Sequence, residues 1–265
     1  MSRDAPRNWF FIGNALQLVA GRFVLPDERA LHDREVGNPE NRFLRASCEC
    51  HHRVVAFEEH LREILPADLP NRDKLIHLGA LHLELIEETN RYMNLTRITE
   101  PREAAIKHVL DSVLPWRLFA AARKVLDAGT GAGFPGIPLA AILPDIKFVL
   151  AESVQKKARF VETAVEKLGI GNVAVRPVRA EDVLKTERFE VVTGRALAPL
   201  GKALLLFAPS LKRGARVLLY KGPDVQQEIA AAAAEARKRG IRVTIVEQYE
   251  LPERYGRRSI VELTG

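Results

Sequence analysis

The C-terminal half of the chain alternates short apolar stretches with longer amphipathic ones, and no other feature constrains the fold as strongly. From Lys124 onward the pattern predicts seven strands, at 125–127, 147–151, 173–176, 190–193, 216–220, 241–249 and 258–263. Strands that alternate with helices of about 10 to 15 residues form a parallel, doubly wound sheet. The last two strands are joined by a short, turn-rich link, so we expect them to pair antiparallel at one edge. The sequence therefore predicts an α/β fold with a seven-stranded sheet.

A helical segment precedes this sheet. Apolar residues recur there at three- and four-residue spacing, as in an amphipathic helix: Leu75, Leu78, Leu81, Leu85 and Ile86. A further helix is expected from Pro101 to Val113, capped by Thr99. We therefore predict three parts: an N-terminal extension at 1–55, a small helical module at 56–119 and the main domain at 120–265.

Residues 1–55 show neither helical nor strand periodicity, and Asn38 to Asn41 is typical of a loop. Such a segment is predicted to be disordered. Met1 and Met93 are the only methionines, so our hypothesis places the natural start at Val54 or Val55, read from a GTG codon.

Composition narrows the class of protein. The apolar stretch from Trp9 to Ala20 is too short to span a bilayer, so no membrane association is expected. The two cysteines, Cys48 and Cys50, lie one residue apart and cannot form a disulfide framework, which indicates a reducing compartment and a cytoplasmic protein. With 40 basic and 34 acidic residues, the net charge of +6 permits a polyanionic partner such as RNA.

A metal site is not expected. Cys48, Cys50, His51 and His52 form a tempting cluster, but adjacent ligands crowd one another and the rest of the sequence offers no matching cluster.

The segment from Asp127 to Gly136 carries most of the chemical information. It reads Asp-Ala-Gly-Thr-Gly-Ala-Gly-Phe-Pro-Gly, directly after the first predicted strand. Glycines in this position let the backbone approach a ligand, and the following helix offers free N–H groups. Because open parallel sheets bind ligands at the carboxyl ends of their strands, this loop is expected to hold a nucleotide-like cofactor.

Two cofactors fit this loop. Gly131-x-Gly133-x-x-Gly136 matches the dinucleotide fingerprint, and Glu152 follows Gly133 by 19 residues, as a ribose-binding acid should. The glycines, however, begin directly at the strand end, and this phase resembles class I S-adenosylmethionine-dependent methyltransferases. A further acid, Glu181, follows the third strand beside Ala180, where it suits an adenine amine. We favour the methyltransferase.

Further motifs make the resemblance specific. They are Asn94-Leu-Thr, His108-Val-Leu-Asp-Ser, Gly133-Phe-Pro-Gly-Ile-Pro, Glu152-Ser, Ala180-Glu, Arg195-Ala and Lys221-Gly. Together they resemble the glucose-inhibited division protein B family, over roughly residues 58–265. These proteins are methyltransferases that modify guanine N7 in 16S ribosomal RNA.

The resemblance implies a Rossmann-like class I methyltransferase fold, S-adenosyl-L-methionine as cofactor, and 16S ribosomal RNA or the small ribosomal subunit as partner. It also implies that Gly129, Phe134, Ala180, Glu181 and Arg195 line the cofactor site. We add Glu152 from its position and chemistry, and we expect a monomer. The family usually has serine where Gly194 stands, a change that removes no group that the methyl transfer needs.

Guanine N7 carries an in-plane lone pair, so methyl transfer to it needs positioning rather than a base or a metal. We expect Arg195 to be the catalytic residue, holding guanine O6, a phosphate or the cofactor's carboxylate. A surface salt bridge is the alternative for this arginine. Lys221 is interpreted as a phosphate contact or a solvated lysine, while His108 and Asp111 are expected to join the helical module to the sheet.

Charge alone does not localise the RNA-binding surface. The possible contacts are Lys156, Lys157, Arg176, Arg179, Arg254, Arg257 and Arg258. Two alternatives from other classes stay open at this point. One is a non-catalytic RNA- or ribosome-binding module on a methyltransferase-like scaffold, and the other is an NAD-dependent oxidoreductase.

Overall fold

The computed structural model describes residues 18–19, 22–23 and 39–265, with side chains from His52 onward. Contacts divide the chain into two units, Met1–Glu49 and Cys50–Gly265. In the first unit, β1 (Leu18–Val19) and β2 (Arg22–Phe23) form an antiparallel pair. The disorder predicted for the remainder of residues 1–38 lies outside the described residues.

The helical module consists of two long helices and a third helical stretch, from Pro101 to Val113, that is divided into three parts. The helices are α1 (Pro39–Ile64), α2 (Arg72–Asn90), α3 (Pro101–Ala104) and α4 (Asp111–Val113), with a π-helical segment, Ala105–Leu110, between the last two. The helix predicted from Pro101 to Val113 is thus confirmed, although its middle is wound more widely. Its cap is Glu100 rather than Thr99, because the Glu100 carboxylate accepts the backbone N–H groups of Arg102 and Glu103.

Helix α1 begins much earlier than the sequence pattern indicates. The pattern predicts a loop through Asn41 and no helix before Val54, whereas the helix starts at Pro39; the prediction is wrong for residues 39–53. Proline suits the first turn of a helix, where its missing N–H has no partner to lose. Residues 39–53 are mostly polar, so they lack the apolar periodicity on which helix prediction depends.

The main domain follows the predicted alternation closely. Its strands are β3 (Lys124–Ala128), β4 (Lys147–Ala151), β5 (Val173–Arg176), β6 (Val191–Arg195), β7 (Arg216–Lys221), β8 (Arg242–Leu251) and β9 (Gly256–Thr264). Its helices are α5 (Gly136–Ile142), α6 (Gln155–Lys167), α7 (Ala180–Thr186), α8 (Leu200–Leu211) and α9 (Val225–Arg239).

These strands form one seven-stranded sheet in the order β5-β4-β3-β6-β7-β9-β8. The first five in this order are parallel, and β9 pairs antiparallel with both β7 and β8. The predicted fold class, including the antiparallel edge, is confirmed. The order reverses at β3, so the loops after β3 and β6 flank the crevice where such sheets bind ligands.

Consecutive residues of the central strands face opposite sides of the sheet and enter two cores. Val125, Phe148 and Leu218 pack with the helical module, α5 and α6. Leu126, Val149 and Leu219 pack with α7, α8 and α9. The helical module and the sheet therefore share one core. The domain boundary predicted between residues 119 and 120 stays a prediction. Within the described part of the chain, no helix is long and apolar enough to cross a membrane.

Candidate active site

The glycine loop connects β3 to α5 and folds against the end of β4. The N–H groups of Gly129 and Thr130 both donate to the carbonyl oxygen of Ala151, at 2.9 and 3.1 Å. Gly129 has φ +69°, and a Cβ there would lie 2.8 Å from Cδ1 of Leu197. Only glycine adopts this backbone without strain and leaves room for the leucine. By contrast, the space beside Gly131 is open to 4 Å.

Asp127 holds the loop in shape from beneath. Its side chain is fully buried, and its Oδ2 accepts hydrogen bonds from Thr130 Oγ1 at 2.6 Å and from the Gly136 N–H at 2.9 Å. Its Oδ1 has no hydrogen-bond partner. Burial raises the pKa of Asp127 to about 6, against the lowering effect of these two hydrogen bonds. This aspartate therefore stabilises the turn into α5.

Glu152 lies beside the loop, directly after β4, as predicted. Its two carboxylate oxygens accept the N–H groups of Gly131 at 3.0 Å and Val154 at 2.8 Å. The residue is 7% exposed, so these bonds fix its carboxylate at the open side of Gly131. Each oxygen keeps a further lone pair, and two such acceptors suit the two hydroxyl groups of a ribose.

Ala180 and Glu181 begin α7, on the loop that follows β5. Ala180 is buried, and Glu181 is half-buried. Since β5, β4, β3 and β6 are parallel neighbours, the loops that carry Glu181, Glu152, Gly129 and Arg195 emerge at one edge of the sheet. Glu181 also lies on the wall of a groove of about 470 Å³ between α7 and α8.

Phe134 is enclosed rather than open to a ligand. Its ring stacks on His108 at 4.7 Å between centroids and lies 4.7 Å from His82 at a tilt of 31°, and the residue is only 4% exposed. The phenyl ring therefore fastens the glycine loop to α2 and the π-helical segment. That Phe134 lines the cofactor site stays a prediction, and in this conformation its ring faces are already covered.

The two histidines beside Phe134 are buried and neutral. His82 Nε2 donates to the carbonyl oxygen of Ala132 at 2.8 Å, and His108 Nε2 shares a hydrogen bond with Thr96 Oγ1 at 3.1 Å. Both Nδ1 atoms lack a partner. Burial lowers the pKa of His82 to about 4. Burial, followed by the charge of Arg195, lowers the pKa of His108 to about 3.

Arg195 extends from the end of β6 to the helical module. One guanidinium nitrogen donates to the carbonyl oxygen of Lys107 at 2.7 Å and lies 3.4 Å from Asp111 Oδ2. The guanidinium also lies over the Phe134 ring, with 5.4 Å between Cζ and the ring centroid. It lines a cleft of about 680 Å³ together with Lys107, Asp111, Leu197, Lys221 and Arg258. Charged side chains of both signs therefore converge on this cleft.

Asp111 joins three parts of the molecule. Its Oδ2 lies 3.3 Å from Nε of Arg258, in addition to Arg195, and its Oδ1 accepts the hydroxyl of Tyr249 at 3.0 Å. The residue is 1% exposed. The predicted network between the helical module and the sheet is confirmed for Asp111. Sequence spacing could place it on a helix with His108, but nothing local indicates its partners on β8 and β9, more than 130 positions away.

Lys221 differs from both interpretations of the sequence. It is 9% exposed, and its ammonium donates to the Ala198 carbonyl and to Glu228 Oε2, each at 2.7 Å. The same carboxylate oxygen accepts the N–H of Leu200 at 2.7 Å. The solvated interpretation is wrong, and a phosphate contact is not favoured because Glu228 already neutralises the charge. Lys221 instead anchors the loop that follows Arg195.

Replacing Lys221 with methionine is expected to lower the free energy of unfolding by about 2 kcal/mol, because Glu228 loses its counter-ion in a largely buried place. Urea denaturation would measure this change. Lys202→Met is the matched control, since Lys202 is exposed on α8 and forms no side-chain hydrogen bond or ion pair within the described structure. Equal stability of the two variants would contradict the anchoring role.

The remaining candidates are dispersed. Asn94 is exposed, and the turn around it is held by Asn90, whose side chain accepts the N–H groups of Leu95 and Thr96. Lys156, Arg176 and Arg179 are exposed at the β4 and β5 end of the sheet. The side chains of Cys48, Cys50 and His51 lie outside the described residues. Among the side chains that are described, no cluster of three or more histidine, cysteine or acidic residues could hold a metal.

This strand order, with a glycine loop after β3 and acidic residues after β4 and β5, defines a class I methyltransferase fold. The model of the GidB family, rRNA small subunit methyltransferase G, matches residues 78–259. The chain therefore belongs to the GidB family and is a methyltransferase, as the sequence motifs predict.

Two relatives of similar sequence agree with this assignment. The chain is 61% identical over 209 residues to "Ribosomal RNA small subunit methyltransferase G" of Solibacter usitatus, which covers 79% of this chain and all of that protein. It is 40% identical over 198 residues to the protein of the same name from Symbiobacterium thermophilum, and the match covers 68% of this chain and 78% of that protein. Among solved structures, the O-methyltransferase TomG from Streptomyces achromogenes has 20% identity and a TM-score of 0.46, over 69% of this chain and 90% of that one.

Proposed function

We propose that this protein transfers the methyl group of S-adenosylmethionine to N7 of a guanine in 16S ribosomal RNA. The observation that carries the RNA substrate is the 61% identity to a complete relative named as a small-subunit ribosomal RNA methyltransferase. The family match leaves the oxidoreductase and the non-catalytic module without support.

The glycine loop fits the proposed cofactor. Gly131 faces open space, and its N–H holds the Glu152 carboxylate at the edge of that space. Glu152 would accept the ribose hydroxyls, Gly129 would allow close approach of the backbone, and Ala180 with Glu181 would flank the adenine. S-adenosylmethionine, when bound, supplies a methyl group on a positively charged sulfur.

The protein's contribution to the reaction is positioning. Guanine N7 is unprotonated at neutral pH, so no side chain has to remove a proton before transfer. The neutral, buried His82 and His108 fit this requirement, since neither is poised to exchange protons near neutral pH. Arg195 would orient the incoming guanine or an adjacent phosphate from the wall of the cleft, which is the residue's predicted role.

A direct test is methyl transfer from radiolabelled S-adenosylmethionine to small ribosomal subunits from cells that lack this gene. Label at one guanine of 16S RNA, mapped by chain cleavage at N7-methylguanine, is the expected result. Absence of label together with tight binding of S-adenosylhomocysteine would support the proposed cofactor but refute the proposed RNA substrate. Protection from thermal unfolding by NAD but not by S-adenosylhomocysteine would refute the cofactor.

Glu152→Gln is expected to weaken S-adenosylhomocysteine binding at least tenfold, because a carboxylate that accepts two hydroxyl groups becomes an amide that accepts through one oxygen. Isothermal titration calorimetry measures the dissociation constant. Glu166→Gln, an exposed position on α6, is the matched control and should leave it unchanged. An unchanged constant for Glu152→Gln would remove this residue from the cofactor site.

A further inference from the structure

The turn between β8 and β9 has a strained backbone that is held in place by the helical module. Glu253 and Arg254 are consecutive non-glycine residues with φ of +56° and +60°. Such conformations persist only where surrounding contacts impose them, and they are concentrated at functional sites. Here the contact is an ion pair between Glu253 and Arg102, which also binds Glu63 at 2.6 Å.

This turn lies at the ligand-binding edge of the sheet. Strand β9 runs antiparallel to β7, and Ser259 near its start pairs with Lys221 at the end of β7. Tyr255 in the turn lies under the ammonium of Lys107, 4.6 Å from its ring centroid. Lys107 and Arg258 both line the 680 Å³ cleft, so the turn forms part of its rim.

Two arginines of this rim, Arg254 and Arg257, are exposed and form no side-chain hydrogen bond or ion pair within the described structure. Glu250 lies opposite Arg257 in the strand register but does not form an ion pair with it. Arg97, also exposed and without a carboxylate partner, directly precedes Ile98, another residue of the cleft wall. These three residues are termed the arginine rim.

Each cation inside the cleft has a carboxylate partner, whereas the three arginines of the rim form no ion pair within the described structure. Arg195 and Arg258 share Asp111, Lys107 pairs with Glu103 at 2.5 Å, and Lys221 pairs with Glu228. The cleft, at about 680 Å³, is large enough for a base, and unpaired guanidinium groups around it are suited to the phosphates on either side of that base. A folded protein partner would need apolar area, yet the large apolar side chains that are exposed in the described chain (Val55, Tyr92, Val154, Val178 and Leu205) are absent from this rim.

We propose that the arginine rim binds the RNA backbone next to the target guanine, with Arg254 and Arg257 on the β8–β9 turn as its principal phosphate contacts. This inference rests on the proposed function for the identity of the polyanion. According to this proposal, the RNA approaches the cleft from the side of the sheet formed by β8 and β9. Lys156, Arg176 and Arg179 lie on the other side, near β4 and β5.

The test compares two double variants that remove the same charge. Arg254→Gln with Arg257→Gln alters the rim. Arg237→Gln with Lys238→Gln alters the last turn of α9, where the chain leads into the start of β8 at the opposite edge of the sheet. Binding of a 16S RNA fragment is measured by filter retention over a range of salt concentrations, and methyl transfer is measured in parallel.

The rim variant is expected to weaken RNA binding about tenfold and to reduce the slope of log Kd against log salt by about 1.5, the loss of roughly two phosphate contacts. The KM for RNA should rise while the S-adenosylhomocysteine dissociation constant stays unchanged. A salt slope equal to that of the wild type, or an equal loss of RNA binding in the α9 variant, would overturn the proposal that the arginine rim binds RNA. Failure of the wild type to methylate 16S RNA would instead refute the proposed function. The salt slope of RNA binding would still show whether the arginine rim contacts RNA.

Discussion

Replacement of Arg195 by alanine is expected to lower methyl transfer at least 100-fold and to reduce the free energy of unfolding by about 3 kcal/mol. The first effect follows from its position on the wall of the cleft beside the glycine loop. The second follows from its contacts with Lys107 and Asp111, since its removal leaves a buried carboxylate with one guanidinium fewer. Single-turnover transfer and urea denaturation measure the two effects separately.

The control is Asp111→Asn, which removes the carboxylate charge and leaves Arg195 its bond to the Lys107 carbonyl. This variant should lose comparable stability but retain much more activity, because the guanidinium still faces the cleft. If Asp111→Asn were as inactive as Arg195→Ala under conditions where both are folded, Arg195 would act only by joining the helical module to the sheet. Its role as a residue that contacts substrate or cofactor would then be wrong.

Acid is expected to destabilise the protein through His82 and His108, below the ordinary histidine pKa of about 6.5. In the folded state burial lowers the pKa to about 4 for His82 and about 3 for His108, so the unfolded chain binds more protons as the pH falls. Stability supplied by these neutral histidines is complete above pH 6.5 and is lost progressively toward pH 4. Each contributes a slope of about 1.4 kcal/mol per pH unit, which urea denaturation between pH 8 and pH 5 would measure.

Asp127 acts in the opposite direction over part of this range. Its folded pKa of about 6 exceeds the ordinary value of 3.8, so its contribution is complete below pH 3.8 and is lost as the pH rises toward 6. A double variant, His82→Gln with His108→Gln, keeps an amide near each Nε2 position but cannot titrate. Its stability should therefore be flat or rise slightly as the pH falls from 6 to 5. A slope like that of the wild type would show that other groups cause the acid sensitivity.

Local patterns were sufficient for the main domain because each of its elements carries its own signal. The strands at 173–176 and the helix at 225–239 have the predicted bounds, since apolar periodicity and flanking turns mark both ends. The sequence does not predict helix α1 over 39–53, because a polar helix has no such period. Thr99 is the expected cap because threonine is a preferred N-cap residue and glutamate is not, whereas in the structure the Glu100 carboxylate caps the helix.

For the site, local sequence could indicate which loops carry the chemistry but not the direction of each side chain. Glu152 lies beside the glycine loop as predicted, since a strand end and its register determine that position. Lys221, by contrast, is paired with Glu228, and Phe134 is covered by His82 and His108. His82 could have been noticed as a lone histidine on an apolar helix face, but its contact with the loop 50 residues later has no local signal.

The sequence by itself determined the doubly wound sheet, the antiparallel edge, the glycine loop and the family, because these depend on short-range periodicity and on motifs that are contiguous in the chain. Only the tertiary structure decided that Asp111 binds Arg195, Arg258 and Tyr249, and that the β8–β9 turn lies beside the cleft. These contacts join residues that are between 84 and 148 positions apart, and their geometry depends on how the helical module packs on the sheet. A charge in the sequence has no assigned partner until that packing brings two elements together.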